Sequence, residues 1–174
     1  IHLNHFFGFQ SYYPSISQGT VYALTYMISD TERDVDFWFQ FGTPSVSRRR
    51  NGGNPPLGKW NAYGAKVWVN GTAVPPPVWN NPGPLSNYGD EIPFSNEGYF
   101  YREPTSVHLR AGTNSILLRV PKGNAAGYIK GAGKWMFSCM PIDWDGNQAR
   151  EIDGITFRVD LPPIPPDARR KNDN

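Results

Sequence analysis

Val35-Asp36-Phe37-Trp38-Phe39-Gln40-Phe41 decides the fold class. Read with a period of two, it puts Val35, Phe37, Phe39 and Phe41 on one face and Asp36, Trp38 and Gln40 on the other. A helical period would scatter the same rings around a cylinder. The stretch is therefore a strand with one face turned to a core. On its N-terminal side, Val21–Ile28 is rich in Val, Thr, Tyr and Ile and reads as a second strand, with Asp30 to Asp34 as the turn between them. On its C-terminal side, Lys66-Val67-Trp68-Val69 runs into Asn70-Gly71, the pair favoured in a two-residue type I′ hairpin turn. Thr72-Ala73-Val74 begins the return, and Pro75-Pro76-Pro77 ends it because proline has no N–H to donate to a ladder.

Further along, Ser106–Leu109 reads as a strand and Ala111–Asn114 as a turn. In Ser115–Val120 the residues Ile116, Leu118 and Val120 share a face. Lys134–Ile142 is a strongly apolar, central strand, Asp143-Trp144-Asp145-Gly146 a turn, and Ile155–Val159 the last strand. At least seven short strands, long turn-rich connections and no amphipathic helical pattern predict an all-β fold, a two-sheet β-sandwich.

The chain has 174 residues, enough for one sandwich to fold without disulfides or metals. Residues 1–161 are assigned to that domain. Residues 162–174, opening on Pro162-Pro163-Ile164-Pro165-Pro166, form a Pro-rich and charged tail or linker. Gly (18) and Pro (17) are abundant, which in a chain with clear apolar strands means many turns. Charged residues are 18% and the net charge is +2, so nothing pulls the domain strongly toward nucleic acid. Arg48-Arg49-Arg50 lies in a Gly/Asn/Pro-rich stretch and reads as a solvated loop. The single cysteine, Cys139, has no internal disulfide partner and reads as a small buried hydrophobe. No run of apolar residues is long enough for a membrane-spanning helix, so no membrane insertion is expected. The chain starts at Ile1 without a signal peptide and reads as a piece of a longer protein.

Three segments carry the resemblance to a known family. They are Trp60-Asn-Ala-Tyr-Gly-Ala-Lys-Val-Trp-Val-Asn-Gly-Thr-Ala-Val-Pro-Pro-Pro-Val-Trp79, Asn96-Glu97-Gly98-Tyr99 with Arg102-Glu103-Pro104, and Val107-His-Leu-Arg-Ala-Gly-Thr-Asn-Ser-Ile-Leu-Leu118. Together they resemble the C-terminal galactose-binding-like domain of Bacteroides-type β-N-acetylhexosaminidases (chitobiases, glycoside hydrolase family 20), over roughly residues 20–160. The resemblance implies a jelly-roll sandwich and a secreted, periplasmic or cell-surface glycan-degrading parent.

Asp90-Glu91 matches the adjacent acid pair on which that enzyme family relies. Here it lies in a Gly/Pro-bounded loop with no barrel to shape a pocket around it, and a general acid needs its pKa raised by such a pocket. The pair reads as a solvated loop. Asp143, Asp145 and Asn147, with Glu151 and Asp153 nearby, suggest a structural Ca²⁺ loop, since hard cations take several oxygen ligands. Gln148 stands where an EF-hand needs glycine, and a plain Asp-Gly turn is the competing reading. His2, His5 and His108 are too dispersed for a metal motif, and no Gly-x-Ser-x-Gly elbow is present. Asn70-Gly71-Thr72 matches a glycosylation acceptor, but the hairpin turn explains it.

Loop aromatics are the most suggestive feature. A flat ring suits the apolar face of a pyranose, and Tyr and Trp add a polar tip. The candidates are Trp60, Tyr63, Trp79, Tyr88, Tyr99, Tyr101 and Trp144, with Asn96, Glu97 and Arg102 as polar partners. The competing reading is that each ring pins a long loop against the sandwich. The expectation is a non-catalytic accessory domain that binds carbohydrate weakly or docks on the catalytic domain of the same chain, with no cofactor beyond a structural Ca²⁺. The rivals are a purely structural module and an independent jelly-roll enzyme.

Overall fold

The structure is a computed structural model that describes residues 1, 3, 19–41, 57–61, 63–78, 104–122, 135–146, 148–158 and 160. Among the described residues there is no helix. The strands are β1 (Thr20–Ser29), β2 (Arg33–Phe41), β3 (Lys66–Val69), β4 (Thr72–Val74), β5 (Thr105–Leu109), β6 (Gly112–Pro121), β7 (Phe137–Trp144), β8 (Ala149–Arg150) and β9 (Ile155–Arg158). They form two sheets, one ordered β4-β3-β6-β1-β9 and the other β5-β2-β7-β8. Every pairing is antiparallel. The protein is a two-sheet β-sandwich.

One cluster of buried side chains takes the inner faces of both sheets. Met27, Val67, Val69, Ile116, Leu118 and Val120 come from the first, and Val35, Phe37, Phe39, Val107, Leu109 and Phe137 from the second. The alternation in β2 holds on this side, and the rings of Phe37 and Phe39 stack at 5.0 Å. Its other face departs from simple alternation, because Trp38 is buried too.

The hairpin from β3 to β4 follows from two residues. Asn70 has φ 51° and Gly71 φ 79°, the left-handed pair that a type I′ turn needs. Asn70 also acts at a distance. Its amide donates to Asn114 Oδ1 at 2.7 Å, and its own Oδ1 accepts from the Ser115 N–H at 3.0 Å. Asn114 is fully buried and closes the link between β5 and β6. Its Oδ1 accepts from Arg110 N, and its Nδ2 donates to the carbonyls of Arg110 and Gly112. The turn expected at 111–114 is therefore shorter, and β6 already includes Asn114.

Other strand bounds differ from the sequence reading, and β7 begins at Phe137, not at 134. β2 starts at Arg33, because Arg33 pairs with Leu109 across the sheet. β7 runs through Asp143 and Trp144, which pair with Arg150 and Ala149 of the short β8, so the turn falls on 145–148. Ile1 and Leu3 pair through their backbones with Phe137 and Trp135. At Gly154, φ is +75°, and an added Cβ would collide with the carboxylate of Asp30, whose N–H donates to the Gly154 carbonyl at 3.0 Å. The Arg48–Arg50 loop, Asp90-Glu91 and the 162–174 tail lie outside the described residues.

Candidate functional site

Of the candidate sugar-binding residues, Trp60, Tyr63 and Trp144 are described. Trp60 belongs to the core. It is 6% exposed, its ring meets Phe39 and Phe41 edge-on at 5.7 and 6.0 Å, and its indole N–H donates to the Val74 carbonyl. That corrects its reading as a sugar platform, because a ring packed on all sides has no face to offer a ligand. Trp144 is half-buried and stands edge-on to Trp38 at 5.5 Å on the outward face of the four-stranded sheet. Trp60 and Trp144 thus lie on opposite sides of that sheet. Tyr63 is exposed in a turn held by Asn61, whose Oδ1 accepts from the N–H groups of Tyr63 and Ala65, both at 2.9 Å. Trp79, Tyr88, Asn96, Glu97, Tyr99, Tyr101 and Arg102 lie outside the described residues.

Asp143 and Asp145 are both exposed, and the carboxylate of Asp145 is engaged in the turn. Its Oδ1 accepts from Gln148 N and its Oδ2 from Arg150 Nη2, both at 2.8 Å. Asn147 lies outside the described residues. Among the described residues, no group of three or more His, Cys, Asp or Glu is placed to hold a metal ion. Cys139 packs against the core, and burial pushes its thiol up to about 12, far from the thiolate range of a nucleophile. His108 is exposed beside two acids, with Nδ1 2.9 Å from Asp34 Oδ1 and Nε2 3.2 Å from Glu32 Oε1. The hydrogen bond to Asp34, aided by Glu32, raises its pKa against a smaller opposing effect of desolvation. Among the described residues no helix is long and apolar enough to cross a membrane.

A face missed at the level of sequence carries the exposed Tyr22 and Leu24. Strand register fixes it. On the outside of the five-stranded sheet, Trp68 pairs with Ala73 and Leu117, and Leu117 pairs with Leu24. This makes a continuous apolar row across β4, β3, β6 and β1. One row along, Lys66 pairs with Arg119 and Arg119 with Tyr22. On the other side of the apolar row, Ser115 pairs with Tyr26 and Tyr26 with Arg158. Tyr22 is 61% exposed and Leu24 53%. The signal was present as Tyr22-x-Leu24-x-Tyr26-x-Ile28, an apolar run on alternate positions of a strand whose remaining positions also turn inward.

Two contacts fix the basic side chains of this face. Arg119 donates to the Gly64 carbonyl at 2.6 Å, one residue after the exposed Tyr63. The Lys66 ammonium sits 6.0 Å from the centre of the Trp68 ring, within cation–π range. The four-stranded sheet has a different outer face. Asp34, Asp36 and His108 stand there beside the buried Trp38 and Ile142. Gln40 Oε1 and Ser138 Oγ, directly opposite one another, are buried without hydrogen-bond partners.

The class that the fold defines is an all-β, two-sheet sandwich module. No family model, curated protein or solved structure matches this chain.

Proposed function

We propose that this chain is a non-catalytic accessory domain of a secreted, periplasmic or cell-surface glycan-degrading protein, and that it binds carbohydrate weakly. The parent enzyme implied by the resemblance is a β-N-acetylhexosaminidase of the chitobiase type, and the jelly-roll, galactose-binding-like character of the domain belongs to the same reading. The observation that carries the proposal is the outer face of the five-stranded sheet, where Tyr22, Leu24 and Trp68 form an aromatic and aliphatic strip bordered by long polar side chains. Such a strip suits the apolar face of a sugar ring, and its margin suits the hydroxyls. The acids of the described surface support a non-catalytic role. Asp145 is paired with Arg150, Asp34 with His108 and Asp30 with Arg33, in exposed contacts and not in a desolvated cleft.

A second reading rests on the aliphatic middle of the strip. Leu24 and Leu117 suit a protein surface as well as a sugar, so the same face could dock on the catalytic domain of the same chain. Calorimetric titration with N-acetylglucosamine and galactose oligomers separates the two readings. Binding at millimolar concentration, lost in Tyr22→Ala, is the expected result. No binding to any glycan, with tight association to the catalytic domain, would replace it with docking. Turnover of a chromogenic hexosaminide by the 174 residues would overturn the non-catalytic claim.

A further inference from the structure

Resting on the glycan-binding reading, we propose that the outer face of the five-stranded sheet takes an acidic polysaccharide, a sugar polymer carrying carboxylate or sulfate groups. Charge on the face argues for it. The outward positions of the five strands are the even-numbered residues of β1 and β9, the odd-numbered residues of β6, Lys66 and Trp68 on β3, and Ala73 on β4. None of these residues is an aspartate or glutamate, and three are cations. The acids of the described strands sit elsewhere, Asp34 and Asp36 on the far side of the sandwich.

Among the described residues, Lys66, Arg119 and Arg158 have no acidic partner; Lys66 instead faces a Trp ring and Arg119 a backbone carbonyl. A surface cation left without a counter-charge is available to an anionic ligand, and a guanidinium already pinned by one hydrogen bond loses less freedom when it binds. Lys66 and Arg119 stand on adjacent strands, about 5 Å apart across the ladder. Tyr22 continues their row, and Trp68 lies beside it. Two cations and two rings thus share neighbouring positions on one sheet face. A neutral glycan would use the rings and leave the cations idle, whereas an acidic one uses both. A second copy of the chain is disfavoured, since pairing this face with itself would oppose cation to cation.

Two charged polymers and their uncharged counterparts test the proposal, by affinity electrophoresis and calorimetry. Polygalacturonate is compared with its fully methyl-esterified form, and dextran sulfate with dextran. The expected result is binding to at least one charged member, weakened by added salt, with its uncharged counterpart at least about tenfold weaker. Preference for polygalacturonate or for dextran sulfate identifies the acidic group. Lys66→Gln and Tyr22→Ala change exposed side chains only, and each is expected to weaken binding about fivefold or more. Equal binding of charged and uncharged polymers through Tyr22 would overturn the inference and leave the glycan-binding reading standing. Binding of no polymer or oligosaccharide would overturn both. Equal binding of single-stranded oligo(dT), indifferent to Tyr22→Ala, would reduce the face to a general polyanion surface and overturn the inference. Concentration-dependent self-association abolished by Leu24→Ser would also overturn it.

Discussion

Replacing Asn114 with alanine removes the polar link that ties the β3–β4 hairpin to the β5–β6 corner. Four hydrogen bonds of its side chain are lost, to Asn70 Nδ2, to the N–H and carbonyl of Arg110, and to the Gly112 carbonyl. At about 1 kcal/mol net for each bond the sum is about 4 kcal/mol. Water can reach Arg110 and Gly112, which are exposed, so the expected loss is about 3–4 kcal/mol. For a domain of this size that lowers Tm by on the order of 10 °C. The assay is urea unfolding followed by tryptophan fluorescence, with an unchanged m-value indicating that the native and unfolded states keep their compactness. Asn114→Asp is the sharper variant. It keeps an acceptor for Arg110 N but turns the Nδ2 donor into a second acceptor facing two carbonyls, and it buries a charge. It is expected to be no more stable than Asn114→Ala. A loss below about 1 kcal/mol in Asn114→Ala, or rescue by aspartate, would refute the reasoning.

Trp60→Ala is expected to cost about 3–5 kcal/mol through the cavity it leaves beside Phe39 and Phe41, while carbohydrate binding by the remaining folded protein is retained. Cys139, with its thiol pushed up to about 12, is expected to resist a disulfide-exchange reagent at pH 8 in the native state and to react once urea unfolds the chain. His108 has a raised folded-state pKa, so its pairing with Asp34 and Glu32 adds stability below its ordinary value of 6.5, and that contribution is lost as pH rises through the folded-state value. Melting curves of wild type and His108→Gln should diverge below pH 6.5 and converge as pH rises past the raised folded-state value, by a small amount because the pair is solvent-exposed.

Much of the fold was legible because local rules sufficed. The inner face of β2 follows from Phe37 and Phe39 at a period of two, and the bounds of β3 and β4 follow from Asn70-Gly71 between two short apolar runs. Where long-range contacts decide, local rules failed. Trp60 stands in a Gly/Pro-rich stretch without periodicity, and its burial comes from rings some twenty residues earlier in the chain, so loop platform and core residue look alike in sequence. Asn114 resembles a turn residue until its amide is seen to meet Asn70, forty-four positions away. β8 is a two-residue strand held by register with β7, and its sequence carries no strand signal. The Trp68–Leu117–Leu24 row needs three strands aligned in one register, which no segment encodes by itself. The loop aromatics of residues 79–102 fall outside the described residues, so the candidate face rests on strands alone.

Amide and indole NMR of the labelled domain, titrated with short galacturonate and N-acetylglucosamine oligomers, tests the account most directly. Perturbations gathered on Tyr22, Leu24, Trp68, Leu117 and Arg119, larger with the acidic oligomer, are the predicted result. Perturbations centred on Trp38 and Trp144 across the sandwich, or none with either sugar, would contradict it.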